Sequence, residues 1–436
     1  MLPTRDDLPD TGQMVPRVPF AAAILLAAVA FNGCGASSPA SPSSTTASTG
    51  HPTPAAPTPS EAGLSWTKAA DVARPGDAFA EPSALPTGPS GPDTAGHPGH
   101  YPGQAIVDDV ASAGGRLVAV GYVGVGGVWT AIGWTSTDAE HWTLTSIDPT
   151  PASLAVAVAA IPQVGGFVAG GRVDRAPAIW TSADGSAWRR QSVPTLSNGT
   201  EWERITAVLP TSDGFLAAGS VGPELGDRRA RFWSSADGMD WAAVPDDPGF
   251  AGAEVADVLG IDGRFVAIGK LGTGQRWSGS VAWVSSDGRQ WTRIDSPELA
   301  AGIASALAPL DGGLVAVGSD LDEREALAWR STDGSTWSVA PREDSRLYNG
   351  EKIRMTDVTA VRAGLLAVGN YVGVQYGTAT SWISTDGRSW RRAGDYPALG
   401  QGEMLAVGRG GPGLVAVGSF GAPDNYIPTI WLAAEP

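Results

Sequence analysis

The sequence predicts an all-β fold: a seven-bladed β-propeller of four-stranded antiparallel blades, closed by an N-terminal strand that completes the last blade. Three observations predict it. A nine-residue phrase, Trp-x-Ser-x-Asp-Gly-x-x-Trp, recurs along the chain. It recurs about every 50 residues, the span of several short strands and their turns, which is the signature of a ring of blades. The final unit lacks a fourth strand, and a segment of matching sequence stands far upstream of the first unit.

The phrase reads Trp180–Trp188 in one full copy and returns at Trp233–Trp241, Trp283–Trp291, Trp329–Trp337 and Trp382–Trp390. A variant at Trp134–Trp142 carries Ala139 where the others have Gly, and a half-copy ends at Trp431. Each copy closes one apolar run and opens another. Asp-Gly between such runs signals a hairpin, because Gly accepts the positive φ the turn demands. The carboxylates of Asp138, Asp184, Asp237, Asp287, Asp333 and Asp386 are placed to accept N–H groups of their own turns. The paired Trp rings flank the turn, where each can bury roughly 150–250 Å².

This phrase resembles the Asp box of the BNR-repeat, sialidase-like β-propellers, written Ser-x-Asp-x-Gly-x-x-Trp and set between the third and fourth strands of a blade. Here Gly follows Asp directly, so the turn is one residue shorter. The resemblance covers almost all of 106–436. It implies the fold and leaves activity open, since the box is a structural device of enzymes and non-enzymes alike.

In chain order, 1–33 reads as a targeting segment. Phe20 to Phe31 is apolar and too short to span a bilayer, as in a signal peptide, and Met14-Val15-Pro16-Arg17 marks the expected true start. Cys34, the only cysteine, follows Gly33 just after the apolar core. That arrangement is similar to the lipobox of bacterial lipoproteins and implies lipidation of Cys34. Residues 34–62, rich in Ser, Thr, Pro and Ala, form the expected tether.

The propeller follows over 63–436. Residues 63–75 hold the closing strand Leu64-Ser65-Trp66-Thr67-Lys68-Ala69, and 76–105 a Pro/Gly-rich loop. Each unit then reads as four strands. In the second unit they are Leu154–Ile161, Gly166–Val173, Ala178–Ala183 and Trp188–Val193. Second strands share a refrain of small apolar residues ending in Gly, as in Leu117-Val118-Ala119-Val120-Gly121 and Leu414-Val415-Ala416-Val417-Gly418. Such residues suit blades packed face to face.

Composition excludes several functions. The net charge of −16 argues against a nucleic-acid partner. One cysteine leaves no intramolecular disulfide. The four His, His51, His97, His100 and His141, offer neither a metal site nor a Ser–His–Asp arrangement, and no Gly-rich phosphate loop precedes a helix. No metal and no cofactor is expected.

Alternating strand direction assigns the loops. Turns from strand one to two and from three to four share a first face of tight turns with little reach for a ligand. Loops from two to three, and from four to the next blade, share a second face. The tryptophans outside both the phrase and the closing strand, Trp129, Trp202 and Trp277, fall there, with Tyr348, Tyr371, Tyr376, Tyr426, Arg228 and Arg346. Aromatic rings beside polar groups suit sugar rings and protein hot spots.

The expected function is a non-catalytic binding module for a glycan, peptide or protein, monomeric and lipid-anchored at the outer surface of the cell membrane. The alternatives are a sialidase-like glycoside hydrolase or lyase, and a structural scaffold. The three-Arg clamp and Arg-Ile-Pro motif that the resemblance implies for sialidases are not matched here, since 106–148 holds only Arg116, at a first-face turn.

Overall fold

Seven antiparallel sheets, strung in chain order, make up the described part of the molecule. The computed structural model describes residues 64–74, 104–125, 128–161, 165–197, 199–223, 226–272, 276–340, 352–372, 377–393, 402–411, 413–420 and 426–436. All lie in the unit spanning 60–436.

Blade 1 is Gln104–Ala113, Arg116–Val125, Val128–Ser136 and His141–Asp148, hydrogen-bonded in that order from inside to outside. Blades 2 to 6 begin at Ser153, Trp202, Ala253, Gly302 and Lys352 and repeat the pattern. The innermost strands pack on one another around the ring, and that of blade 7, Glu403–Gly410, packs on that of blade 1.

The ring closes as expected. Thr67–Lys68 pairs antiparallel with Ile427–Ala434, with Thr67 opposite Leu432 and Lys68 opposite Trp431. Trp66 is buried and its indole donates to Ser381 Oγ of blade 6 at 3.1 Å. The chain then crosses to blade 1, where Asp71–Val72 adds a fifth, parallel strand beside His141 and Trp142. Trp134 Nε1 donates to Ala73 O at 2.8 Å. One strap of 64–74 thus ties blades 6, 7 and 1 together.

The tryptophan-bracketed turns join the third and fourth strands of blades 1 to 6. In the second, Ser182 Oγ accepts the Gly185 N–H at 2.8 Å, and Asp184 Oδ1 accepts the Ser186 N–H at 2.9 Å. The second Trp donates back to the turn, Trp188 Nε1 to Gly185 O at 2.8 Å. Gly185 has φ +79°, and the variant Ala139 holds the same region at +67°. The first Trp of every unit, Trp134 through Trp431, is almost completely buried. Fourth strands are shorter than the sequence suggests: in blade 2 only Arg189–Arg190 pairs, and Ser192 instead bridges to Asp240 of blade 3.

Each innermost strand carries a bulge at the same level, and the refrain glycine lies opposite the residue before it. Val107 pairs with Gly121, Ala155 with Gly171, and so on to Met404 with Gly418. A Cβ on Gly121, Gly171, Gly219, Gly318 or Gly418 would stand 1.9 Å from a backbone oxygen of the bulged strand. The refrain therefore encodes a bulge, which re-aims the inner strand toward the axis.

Candidate functional site

One register level above those glycines, toward the second face, the ring turns polar. The pairs are Ile106–Tyr122, Leu154–Arg172, Arg204–Ser220, Glu254–Lys270, Ile303–Ser319, Arg354–Asn370 and Glu403–Ser419, one per blade. Inner strands begin at the second face, so this level is the mouth of the axis on that side.

Glu254 is its most enclosed anion, 5% exposed. Arg204 of the preceding blade forms an ion pair with its Oε1, and Arg228 Nη1 reaches its Oε2 at 2.6 Å. Burial pushes Glu254 up, but Arg204, Arg228 and Lys270 outweigh it and hold the carboxyl below its ordinary range. Lys270 is lowered to about 8 by burial, with Arg354 and Arg204 adding to the effect against Glu254 and Glu323. Arg354 bridges blades in the same way: Nε donates to Asn370 Oδ1 at 3.0 Å, and Nη2 lies 3.7 Å from Glu403 Oε2.

Across the mouth, Asp108 is the bulged residue of blade 1. Its Oδ2 has no hydrogen-bond partner among the described residues. Burial raises its carboxyl to about 8, so it carries a proton at neutral pH. Tyr122 is its neighbour. Burial, followed by Asp108 and Tyr426, raises the Tyr122 phenol well above its ordinary value, while Arg172 and Arg204 oppose this. The neutral Tyr122 phenol thus lies within electrostatic reach of Arg172 and Arg204.

The aromatic residues expected on the second face divide into several environments. Trp129 is engaged in packing: its ring meets Tyr122 edge-on at 5.0 Å and fills the space a Cβ on Gly124 would take. Trp202 is half-buried between Arg172 and Arg175, 4.7 and 5.4 Å from the ring centroid. Trp277, half-buried, lines a recess of about 430 Å³ with Arg276, Ile303, Glu323 and Lys352. Tyr371 and Tyr426 are half-buried at second-face strand ends. Arg228 is drawn inward onto Glu254 and does not project from its loop. Tyr348, Tyr376, Arg346 and Cys34 lie outside the described residues.

The first face departs from expectation. Its turns between blades 4, 5 and 6 enclose a recess of about 870 Å³, lined by Asp262, Leu310, Arg330, Arg362 and Asp386 among others. Among the described residues no cluster of His, Cys, Asp and Glu has the arrangement of a metal site, and no helix is long and apolar enough to cross a membrane.

Sequence reasoning missed Asp108, Arg204, Glu254, Lys270, Arg354 and Glu403 as a group. A signal was present: charged residues inside otherwise apolar strands, four of them one position before the residue that faces a refrain glycine.

No protein-family model matches the chain, and no curated protein matches it. Several solved structures are similar in fold. Trypanosoma rangeli sialidase aligns at 13% identity and TM-score 0.46, over 76% of this chain and 55% of that one. A mutant of it displaying trans-sialidase activity aligns at 11% and 0.47, over 85% and 59%. Penicillium chrysogenum α-L-arabinanase, complexed with arabinobiose, aligns at 14% and 0.42, over 64% and 92%. The chain thus spans little more than half the length of the sialidase chains. At such identities the likeness is one of fold.

Proposed function

We propose that the chain acts on carbohydrate at the mouth of its second face, and that the reaction for which this mouth is equipped is glycoside hydrolysis. The observation that carries the reading is Asp108, an enclosed carboxyl beside Tyr122 whose Oδ2 has no hydrogen-bond partner among the described residues and which burial raises to about 8. A proton donor poised near neutral pH is what departure of a sugar oxygen requires. Asp108 gives its proton to the bridging oxygen as the bond to the sugar carbon breaks. Water adds to that carbon, and the proton it sheds restores the acid. Arg172 and Arg204 orient hydroxyl groups, and Trp202 and Trp277 offer rings for stacking.

One observation favours the second reading, a binding module without turnover. Glu254, the enclosed anion of the mouth, is already held by Arg204 and Arg228. A hydrolase working through a second carboxylate would need it elsewhere. A cell-wall glycan array read for both binding and product release separates the two. Hydrolysis predicts that Asp108→Asn lowers turnover at least 100-fold and leaves binding intact. Binding without any product from the unaltered chain would leave the second reading standing alone.

The place of action we propose is the outer surface of the cell membrane, with Cys34 as the lipid anchor. Fatty-acid labelling that disappears in Cys34→Ala supports this, and a Cys34→Ala chain that stays membrane-bound overturns it.

A further inference from the structure

We infer that the second-face recess between blades 4, 5 and 6 binds the anionic substituent of a saccharide, a ring-borne carboxylate or sulfate, with the sugar ring lying on Trp277. The inference rests on the carbohydrate reading above and adds the class of ligand and a second place of contact.

Three observations carry it. The recess has an aromatic wall, Trp277, and an aliphatic floor, Ile303, within a volume of about 430 Å³, in the range of small-molecule sites. Its rim is cationic in a chain whose net charge is −16, with Arg276, Arg324 and Lys352 all lining it. Two acids share the lining, Asp322 and Glu323, against these three cations. Glu323 is spent on Lys352, 2.9 Å from its Oε2, and lies 3.8 Å from Arg354. Among the described residues the guanidinium groups of Arg276 and Arg324 have no acidic partner.

The sources of the anion are separated by calorimetric titration of residues 63–436 with four probes: tetragalacturonate, its fully methyl-esterified form, a sulfated disaccharide and sodium sulfate. The expected result is binding of the carboxylated or the sulfated saccharide at least 10-fold tighter than of the ester, weakening steeply with salt. Arg276→Ala and Lys352→Ala each weaken it at least 10-fold. Trp277→Ala weakens the saccharide and leaves sodium sulfate unchanged. Thermal unfolding of each variant controls for folding, and Lys352→Met serves where Lys352→Ala fails that control.

Equal affinity for ester and acid, or unaltered binding by both charge variants, overturns the inference. Sodium sulfate competing as well as the sulfated disaccharide overturns its saccharide part. Asp108→Asn separates the two readings. Neutral glycan cleaved in an Asp108-dependent way, with no preference for acid, leaves the proposed reaction standing and removes this subsite. Acidic saccharide bound but never cleaved does the reverse.

Discussion

A methyl group on Gly171 would sit 1.9 Å from the carbonyl oxygen of Leu154, which belongs to the bulged strand and has nowhere to move. Gly165, six residues earlier, has a positive φ of +73° and open space around it. The two glycines therefore answer to different physics. Gly171→Ala is expected to cost about 3 kcal/mol, or to prevent folding, through overpacking. Gly165→Ala is expected to cost about 1 kcal/mol through backbone strain alone. Urea unfolding of both variants checks the order, and equal losses would mean that the bulge is not what the refrain glycine serves. As a repeat, that glycine is plain in the sequence. Its partner is not, because a bulge leaves no local mark: Val156, Thr206 and Thr356 look like ordinary strand residues. The same shift hides Asp108 and Arg204, since alternation of apolar and polar positions fails where two residues oppose one. The turn aspartates were readable for the opposite reason, as all their hydrogen bonds close within five residues.

At the scale of elements, the strap of 64–74 closes the ring with little regular pairing. Two residues pair with blade 7 and two with blade 1. Its hold comes from side chains instead. Trp66 and Leu64 are buried in the core shared by blades 6 and 7, and Glu140 of the variant turn accepts the Ala70 N–H at 3.0 Å through Oε2. Trp66→Ala is expected to cost about 3–5 kcal/mol. Hydrogen exchange is the sharper measurement: amides of Ile427–Ala434 and Gly377–Ser384 should lose protection first, while those of Ala253–Ile261 keep it. Uniform loss around the ring would mean that the strap is no special lock. The closing strand was legible because its Trp-Thr pattern copies the other fourth strands. The parallel addition to blade 1 was not, since nothing in Asp71–Val72 names a partner.

At the scale of the whole molecule, two sets of carboxylates pull stability in opposite directions with pH. Asp109, Asp257 and Asp357 follow the bulges of blades 1, 4 and 6, and each clamps the next blade. Their Oδ2 atoms accept the N–H groups of Val158, Leu307 and Val407 at 2.7–2.8 Å. Each is half-buried within the ring. Burial raises Asp357 to about 6 and Asp257 to about 7, and raises Asp109 well above its ordinary value, with Asp357 and Asp257 adding repulsion. The folded state thus binds more protons than the unfolded chain between about pH 4 and 7, so their contribution is fully present below the unfolded value and is lost as pH rises. The turn aspartates act the other way. Backbone N–H groups hold Asp237, Asp287, Asp333 and Asp386 below the ordinary range, and Asp184 at about 2. Their contribution is present above the unfolded value and lost below it. Stability should therefore peak between about pH 4 and 5, and the melting temperature at pH 5 should exceed that at pH 8. Asp257→Asn and Asp357→Asn should flatten the alkaline limb and leave the acid limb in place. Melting curves across that range decide it: a maximum at pH 7 or above would mean that the clamps stay ionised, with their accepted N–H bonds outweighing the enclosure of the ring.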